Sequence, residues 1–208
     1  MASGAHYGVA KNASIISIKV CNATGSCQYS DIIESLTYIG NQHTNSSNKN
    51  TVVNMSLGGG FSQITNNAVE ELVKKGVHVV VAAGNSATDA CTFSPASAPD
   101  AIAVGATNTS TDAIASFSNF GSCVCIFAPG TNIQAAGRQS STALSSYSGT
   151  SQATPHVAGT VALIISYIGN KSPAQMKVEL NNLSTKDAVT GNISTSPNRF
   201  LRVPYCQK

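Results

Sequence analysis

The sequence predicts an α/β fold of three layers, in which a mainly parallel central sheet is flanked by helices on both faces. Short apolar runs rich in β-branched residues alternate with segments of helical periodicity along the first half of the chain. Strands that alternate with helices pair in parallel through right-handed crossovers, and such sheets are buried on both faces. Their ligands bind beyond the carboxyl ends of the strands, so the loops after Leu57 and Ala83 are the first places to inspect.

Four apolar runs are predicted to be buried strands. They cover residues 15–20, 52–57, 77–83 and, more weakly, 101–104. From residue 94 to residue 148 the pattern is one of short strands and turns, and the tail after residue 183 is predicted to be irregular.

Four segments are predicted to be helices. They cover residues 29–39, 64–75, 151–168 and 173–183, and the first two have apolar residues along one face. Gly40 and Gly76 are predicted to end these first two helices, since glycine favours the backbone conformation of a helix C-terminus. The polar segment 43–50 is predicted to be a surface loop.

Composition limits the class of protein. The chain has 208 residues, of which 42% are hydrophobic and 10% charged, which is enough for one compact domain over residues 1–208. Twelve Lys and Arg face nine Asp and Glu without forming a basic stripe, so nucleic acid is not expected as a partner. The longest apolar stretch is interrupted by Gly159, Thr160 and Ser166, and a membrane span is therefore not predicted.

The cysteines and asparagines favour an oxidising compartment. Six cysteines lack the paired spacing of a zinc site, and their even number suits disulfide bonds, although sequence alone leaves the pairing open. Several Asn-x-Ser/Thr sequons, beginning with Asn12 and Asn22, are typical of a secreted glycoprotein. The first residues have no signal-peptide pattern, so either the chain stays inside the cell or its beginning is missing.

The segment 147–159 carries the clearest chemistry. A turn containing Gly149 delivers Ser151 to the start of an apolar helix, where free N–H groups and the positive end of the helix dipole stabilise a developing oxyanion. Pro155 is expected in the early turns, where its missing N–H is tolerated. Taken alone, a serine at a helix start is usually a plain N-cap. Asn85, after the strand predicted over residues 77–83, could donate its side-chain amide to the same oxyanion.

The whole segment resembles the nucleophile motif of the subtilisin-like serine proteases, Ser-Gly-Thr-Ser-x-Ala-Thr-Pro-His-Val-Ala-Gly. Further segments resemble that family in the same order along the chain, and they are residues 54–60, 81–85, 93–96 and 117–121. The run 25–30, Gly-Ser-Cys-Gln-Tyr-Ser, resembles the proteinase K-like, fungal branch. The resemblance implies the three-layer subtilisin-like fold.

The resemblance also implies a function. Ser151 would attack a peptide bond and form an acyl-enzyme, and Asn85 with the Ser151 N–H would form the oxyanion hole. Protein or peptide substrates would bind as extended strands along two backbone segments, with Gly58 also walling an apolar pocket. The substrate-binding residues would be Gly25, Ser26, Cys27, Ser56, Leu57, Gly58, Ala83 and Gly84. A monomer is expected.

The partners that activate Ser151 are not recognisable in the sequence. In this family the Asp lies in a D-T/S-G motif and the His in H-G-T-H-V-A-G, and neither string occurs among the 208 residues. The resemblance implies that both residues lie upstream of Met1 and that the chain is the carboxyl-terminal three quarters of a peptidase domain. The parent protein is then expected to be secreted with a signal peptide, and its own propeptide is a candidate partner. None of the histidines is assigned to catalysis, and these are His6, His43, His78 and His156.

This chemistry requires no cofactor, but the resemblance implies that a structural metal ion has to be considered. Proteinase K-like relatives bind calcium through backbone carbonyls and an Asp. The carbonyls correspond to the region of Pro99 and Ala101 in this chain, and Cys125 stands where the Asp carboxylate is expected. Because a hard cation prefers oxygen ligands, calcium is not expected here. Cys125 could instead contribute to a disulfide, with Cys91 as a candidate partner, and Cys21 with Cys27 is another conceivable bridge. Cys27 replaces the family's Gly, so it could narrow or cross-link the cleft.

Two other functions fit part of the pattern. The first is a catalytically inactive subtilisin-like pseudoenzyme that binds peptides or regulates another protein through the same cleft. The second is an esterase of the α/β-hydrolase type, but the residue two positions after Ser151 is Ala153 rather than the glycine of that motif.

Overall fold

A computed structural model describes residues 1–137, 139–140 and 142–204 of the chain. The helices are α1 (Tyr29–Asn45), α2 (Gln63–Lys74), α3 (Thr150–Ile168) and α4 (Pro173–Leu183), with one 3₁₀ turn at Ala90–Thr92. The strands are β1 (Val52–Met55), β2 (Gly59–Gly60), β3 (His78–Ala82), β4 (Phe93–Ser94), β5 (Ile102–Thr107), β6 (Ile126–Pro129), β7 (Ile133–Ala136), β8 (Leu144–Tyr147), β9 (Thr185–Lys186) and β10 (Arg199–Phe200).

A six-stranded sheet with the order β1-β3-β5-β6-β10-β9 forms the middle layer. Its strands are parallel except for β9, which pairs antiparallel with β10. Two small antiparallel pairs, β2 with β4 and β7 with β8, lie outside it. The predicted α/β class with a mainly parallel sheet is confirmed.

Each face of the sheet is covered by its own hydrophobic core. Side chains of a strand alternate between the two faces. In β3, Val79 and Val81 pack with residues of α1 and α2, whereas Val80 packs with residues of α3 and α4. The helices thus flank the sheet on both faces, and α3 crosses the strands whose ends carry the cleft described below. Within the described ranges, no helix combines the length and apolar character needed to cross a bilayer.

The strand predicted at residues 15–20 is wrong. Ile15 is 66% exposed and Ile16 is 84% exposed, and among the described residues no strand pairs with this segment. Alternating apolar residues form a strand only where a neighbouring backbone accepts their hydrogen bonds. The edge of the sheet is therefore β1.

The first helix is longer than predicted, and Gly40 does not end it. Helix α1 continues to Asn45, so the first residues of the predicted polar loop are helical and His43 is buried. Gly40 instead lies close to the end of α2, where a Cβ added to Gly40 would lie 3.0 Å from Lys75 Nζ. Gly76, with φ of +95°, does lie just past the end of α2 and confirms that prediction.

Two disulfide bonds are present among the described residues. Cys21 pairs with Cys27, and Cys91 pairs with Cys123. The candidate pairing of Cys91 with Cys125 is wrong, because Cys91 is bonded to Cys123, with their Cα atoms 5.3 Å apart, and the Cys125 thiol is directed to the Ala101 carbonyl. Cys206 lies outside the described residues.

His78 is a buried histidine at the start of β3. Its side chain is fully buried, Nε2 lies 2.8 Å from Asn170 Oδ1, and Nδ1 has no hydrogen-bond partner. Burial holds the pKa of His78 below its ordinary value of 6.5, and the neighbouring His43 lowers it further, against the opposing hydrogen bond to Asn170. The pKa of His43 is also lowered, by burial and by the charge of Lys49. The folded protein therefore favours both imidazoles in the neutral form.

We expect acid to destabilise the fold through these histidines. The stabilisation is complete above about pH 6.5, where the unfolded chain is also neutral at histidine, and is lost as pH falls towards the lower folded pKa values. In that range the free energy of unfolding should fall by at most about 1.4 kcal/mol per pH unit for each histidine. Urea unfolding between about pH 7 and pH 5 measures this slope, and His78→Gln should flatten it. The exposed His6→Gln is the matched control, and an unchanged slope in His78→Gln would contradict the expectation.

Candidate active site

The cleft lies where the carboxyl ends of β1 and β3 meet the N-terminus of α3. One cavity of about 290 Å³ is lined by three of the predicted site segments, namely Leu57 and Gly58, Ala83 to Asn85, and Ser151. It is closed further by Phe93 and Ser94. The structure thus brings together residues separated by about a hundred positions in the chain, in the place expected for a ligand of a parallel sheet.

A second cavity, also of about 290 Å³, adjoins the first. Gly25, Ser26 and Cys27 line one side of it, and Leu57 and Gly58 line another. Leu57 and Gly58 border both cavities, so the two lie side by side, and together they are called the groove below. Ser56, which lines neither cavity, lies beside the groove in contact with Ser151.

Ser151 is held by reciprocal hydrogen bonds to Ser56. Ser151 Oγ donates to the Ser56 carbonyl at 3.2 Å, and Ser56 Oγ donates to the Ser151 carbonyl at 2.9 Å. Asn54 Nδ2 donates in turn to Ser56 Oγ at 3.0 Å. These hydrogen bonds join the start of α3 to the chain just beyond β1, so they fix the position of Ser151 relative to the segment that contains Ser56.

Pro155 explains why the Ser56 hydroxyl is needed. It lies inside α3, beyond the first turn, so its missing N–H is not one of the free groups of the helix start and the expectation of an early-turn proline is corrected. An ordinary residue at 155 would donate its N–H to the carbonyl four positions earlier, which is that of Ser151. Proline leaves this carbonyl without a helical partner, and Ser56 Oγ takes the place of the missing donor.

Asn85 is oriented by the first residue of α3. Its Oδ1 accepts hydrogen bonds from Thr150 N at 2.8 Å and from Thr150 Oγ1 at 2.9 Å. With Oδ1 engaged, Nδ2 is the end of the amide that can donate to a ligand. A Cβ built on Gly149 would lie 2.8 Å from Gln152 Oε1 and 3.6 Å from both Asn85 Nδ2 and Ser151 N, so the glycine leaves room for the Gln152 amide oxygen in a space that both nitrogens border.

Ser151 N suits this space for an electrostatic reason. It is the second residue of α3, and the first N–H groups of a helix have no partner within the helix. The positive end of the helix dipole adds to the field there, and the described first turn carries no acidic residue that would oppose it. Two N–H groups beside a serine hydroxyl can stabilise an oxyanion that forms when the hydroxyl attacks a carbonyl.

The loop that carries Asn85 is fixed by a buried asparagine, Asn119. Its Nδ2 donates to the Ala83 carbonyl at 2.9 Å, while its Oδ1 accepts from Ser86 N at 2.9 Å and from Thr88 N at 3.2 Å. Gly84 has φ of +105°, and a Cβ on it would overlap the Asn119 amide. The backbone on both sides of Asn85 is therefore set by one side chain that does not face the groove.

Residues 25–27 form a cross-linked loop and no regular strand. The Cys21–Cys27 disulfide closes the loop, and Cys21 and Cys27 form an isolated antiparallel bridge. Asn22 Oδ1 accepts from the backbone N–H groups of Thr24 and Ser26 at 3.0 Å each, and this shapes the turn. Cys27 therefore lines the groove as one end of a disulfide, in line with the cross-link considered from the sequence.

None of the four imidazoles is hydrogen-bonded to Ser151 in the described part of the chain. His156 Nδ1 lies 2.8 Å from the Gln152 carbonyl one turn earlier in α3, and burial holds its pKa below the ordinary value. His43 lies in α1 and His78 in β3, where both are buried, and His6 lies near the start of the chain. The Ser151 hydroxyl donates its hydrogen bond to the Ser56 carbonyl. A carbonyl oxygen is too weak a base to remove the hydroxyl proton.

Three residues of the site were not singled out for these roles by the sequence. They are Thr150, which orients Asn85, Ser56 in its hydroxyl role, and Asn119. A proline four positions after Ser151 was a usable signal for the second, because it predicts an unpaired carbonyl. The positions of Thr150 and Asn119 depend on contacts across 65 and 36 positions of sequence, which no local pattern encodes.

A three-layer α/β fold with a serine at a helix N-terminus, beside a fixed amide, resembles the arrangement with which serine hydrolases act on acyl groups. The profile of the subtilase family, Peptidase S8, matches residues 1–198. The chain belongs to this family.

Its relatives are bacterial and fungal. The chain is 44% identical over 202 residues to an extracellular serine proteinase of Thermus sp. (strain Rt41A), which covers 97% of this chain and 48% of that protein. It is 42% identical over 214 residues to cerevisin of Saccharomyces cerevisiae, with 94% of this chain and 34% of that protein covered. It is similar in structure to a cold-adapted subtilisin-like serine proteinase, with a TM-score of 0.89 and 38% identity over 98% of this chain and 72% of the other. The chain thus spans about half or less of the length of these two curated relatives.

Proposed function

We propose that this chain carries the nucleophile and the oxyanion-binding half of a serine endopeptidase. Ser151 attacks the scissile carbonyl and forms an acyl-enzyme, and Asn85 Nδ2 and Ser151 N stabilise the oxyanion. The observation that carries the proposal is that Asn85 Nδ2 and Ser151 N border one space beside Gly149, in which an amide oxygen, that of Gln152, already lies. In subtilisin, a member of the same family, removal of one fixed donor of this kind costs roughly 10²- to 10³-fold in turnover.

The groove supports a peptide substrate. Ser26 and Cys27 on one side and Leu57 and Gly58 on the other offer backbone groups to an extended chain, and the cavity beyond Gly58, lined by Ala83 and Gly84, accepts one side chain. The cavity lining contains no charged residue, so an apolar side chain is favoured there. Two disulfides and the similarity to an extracellular proteinase support secretion of the parent protein.

The general base and the carboxylate that orients it are proposed to come from outside these 208 residues. The sequence contains neither family motif, and Ser151 Oγ is hydrogen-bonded to a carbonyl rather than to an imidazole. A base placed over Ser151 would accept the hydroxyl proton and release this hydrogen bond. If no base is ever supplied, the same groove would still bind peptides, which is the pseudoenzyme alternative.

A fluorophosphonate probe separates the two functions, because it labels only an activated serine. The protein expressed from its native gene should be labelled on the peptide that contains Ser151, as mapped by mass spectrometry. Labelling should be lost in Ser151→Ala and kept in Ser110→Ala, which changes an exposed serine. An unlabelled native protein that still binds peptides would overturn the protease proposal and leave the pseudoenzyme. The 208-residue chain on its own should remain unlabelled.

A further inference from the structure

A loop that leads into β5 is fastened by two side chains from elsewhere in the fold. The Pro99 carbonyl accepts a hydrogen bond from Lys177 Nζ at 2.9 Å, and Lys177 lies on α4. The Ala101 carbonyl accepts from the Cys125 thiol at 3.6 Å, just before β6. An ammonium and a thiol thus hold two carbonyls of one three-residue segment.

These donors do not fit the calcium that the family resemblance implies at this loop. Calcium takes six to eight oxygen ligands, usually with carboxylates among them, and the side chain in the expected carboxylate position is a thiol. An ammonium already bonded to the Pro99 carbonyl would also repel a dication at the same oxygen. Asp100, between the two carbonyls, is exposed, and its charge acts on Lys74. Among the described residues, no group of three or more His, Cys, Asp or Glu could hold a metal ion.

We propose that the Lys177 ammonium replaces a bound cation at this loop. It brings a positive charge and three N–H donors to the Pro99 carbonyl, and the Cys125 thiol satisfies the Ala101 carbonyl in place of a metal. Lys177 is half-buried, and its neighbours Met176 and Leu180 pack into the core on the same helix, so the link ties α4 to the entrance of the sheet. The fold is secured at this loop without calcium.

The first test removes the ammonium and keeps the stem. Lys177→Met should lower the Tm of the chain by about 1–3 °C, because the exposed Pro99 carbonyl loses a charge-assisted hydrogen bond. The loss should be the same in calcium and in EDTA. Lys186→Met, which changes an exposed lysine, is the matched control and should leave the Tm unchanged. A Tm of Lys177→Met equal to that of the wild type would overturn the proposal.

The second test asks where calcium acts. The loop should bind no calcium, so it should contribute no difference between the Tm of the wild type in EDTA and its Tm in about 5 mM calcium. A rise with calcium that disappears in Cys125→Ala would place a metal at the loop and overturn the proposal. The double variant Cys125→Asp with Lys177→Ala restores a carboxylate and removes the competing charge, so calcium should raise its Tm by several degrees, about the shift expected from a newly formed site. The absence of such a rise would count against the view that these two side chains stand in a cation's place.

Discussion

Asn119→Ala should cost about 3–5 kcal/mol of stability, although the side chain touches no ligand. The change leaves the buried Ala83 carbonyl without a partner, which costs about 1–3 kcal/mol, and it removes the part-buried hydrogen bonds from Ser86 N and Thr88 N. It also opens a cavity where a fully buried side chain stood. In a chain of this size the expected fall in Tm is about 10 °C. Urea and thermal unfolding followed by circular dichroism measure both quantities.

The matched control for this change is Asn182→Ala, which removes an exposed asparagine from α4 and should alter stability by less than about 0.5 kcal/mol. The same loop carries Asn85, so Asn119→Ala should also weaken fluorophosphonate labelling of Ser151 in the native protein at temperatures where it remains folded. A loss below about 1 kcal/mol would mean that water replaces the Asn119 amide, and the bracing role would be rejected.

Gly105→Ala is the second change with a large expected effect, about 3 kcal/mol of destabilisation through overpacking. Gly105 pairs with Phe127 across β5 and β6, and a Cβ on Gly105 would overlap the Phe127 ring. Phe127 is fully buried and cannot swing into solvent. Alanine is otherwise better than glycine inside a strand, so the whole cost arises from this one contact.

A double-mutant cycle isolates that contact. Phe127→Val cuts the ring back and costs stability by itself, but Gly105→Ala should then be nearly neutral, which corresponds to a coupling energy of about 3 kcal/mol. Gly60→Ala, at a position with open space around the added methyl group, is the control and should change little. If Gly105→Ala costs the same in both backgrounds, the ring is not the source of the strain.

Local patterns predicted most of the helices and strands correctly because each of these segments packs against or pairs with a neighbouring element in the fold. The helices at residues 64–75, 151–168 and 173–183 and the strand at 77–83 lie where periodicity placed them, within one or two residues. Residues 15–20 have the same apolar character but no neighbouring strand, and Ile16 remains exposed. Pairing is a property of two segments, so one segment's composition could not predict it.

The site divides in the same way. Ser151, Asn85 and the groove residues could be recognised from motif strings, because a helix start and a strand end are local features. Their supports could not: Ser56 and Ser151 are 95 positions apart, and Asn119 reaches a loop 36 positions earlier. The pairing of Cys91 with Cys123 rather than Cys125 likewise depended on which of two nearby cysteines the fold presents to a distant turn.

The long sequence separations within the groove also have a kinetic consequence. Local helices can form early, but the groove exists only after β1, β3 and the start of α3 have docked, and such non-local contacts are slow to form. A peptide or inhibitor that binds the groove therefore recognises only the finished fold and stabilises it by mass action. Occupancy of the groove should report the last steps of folding, and a groove ligand present during refolding should trap native molecules as they form.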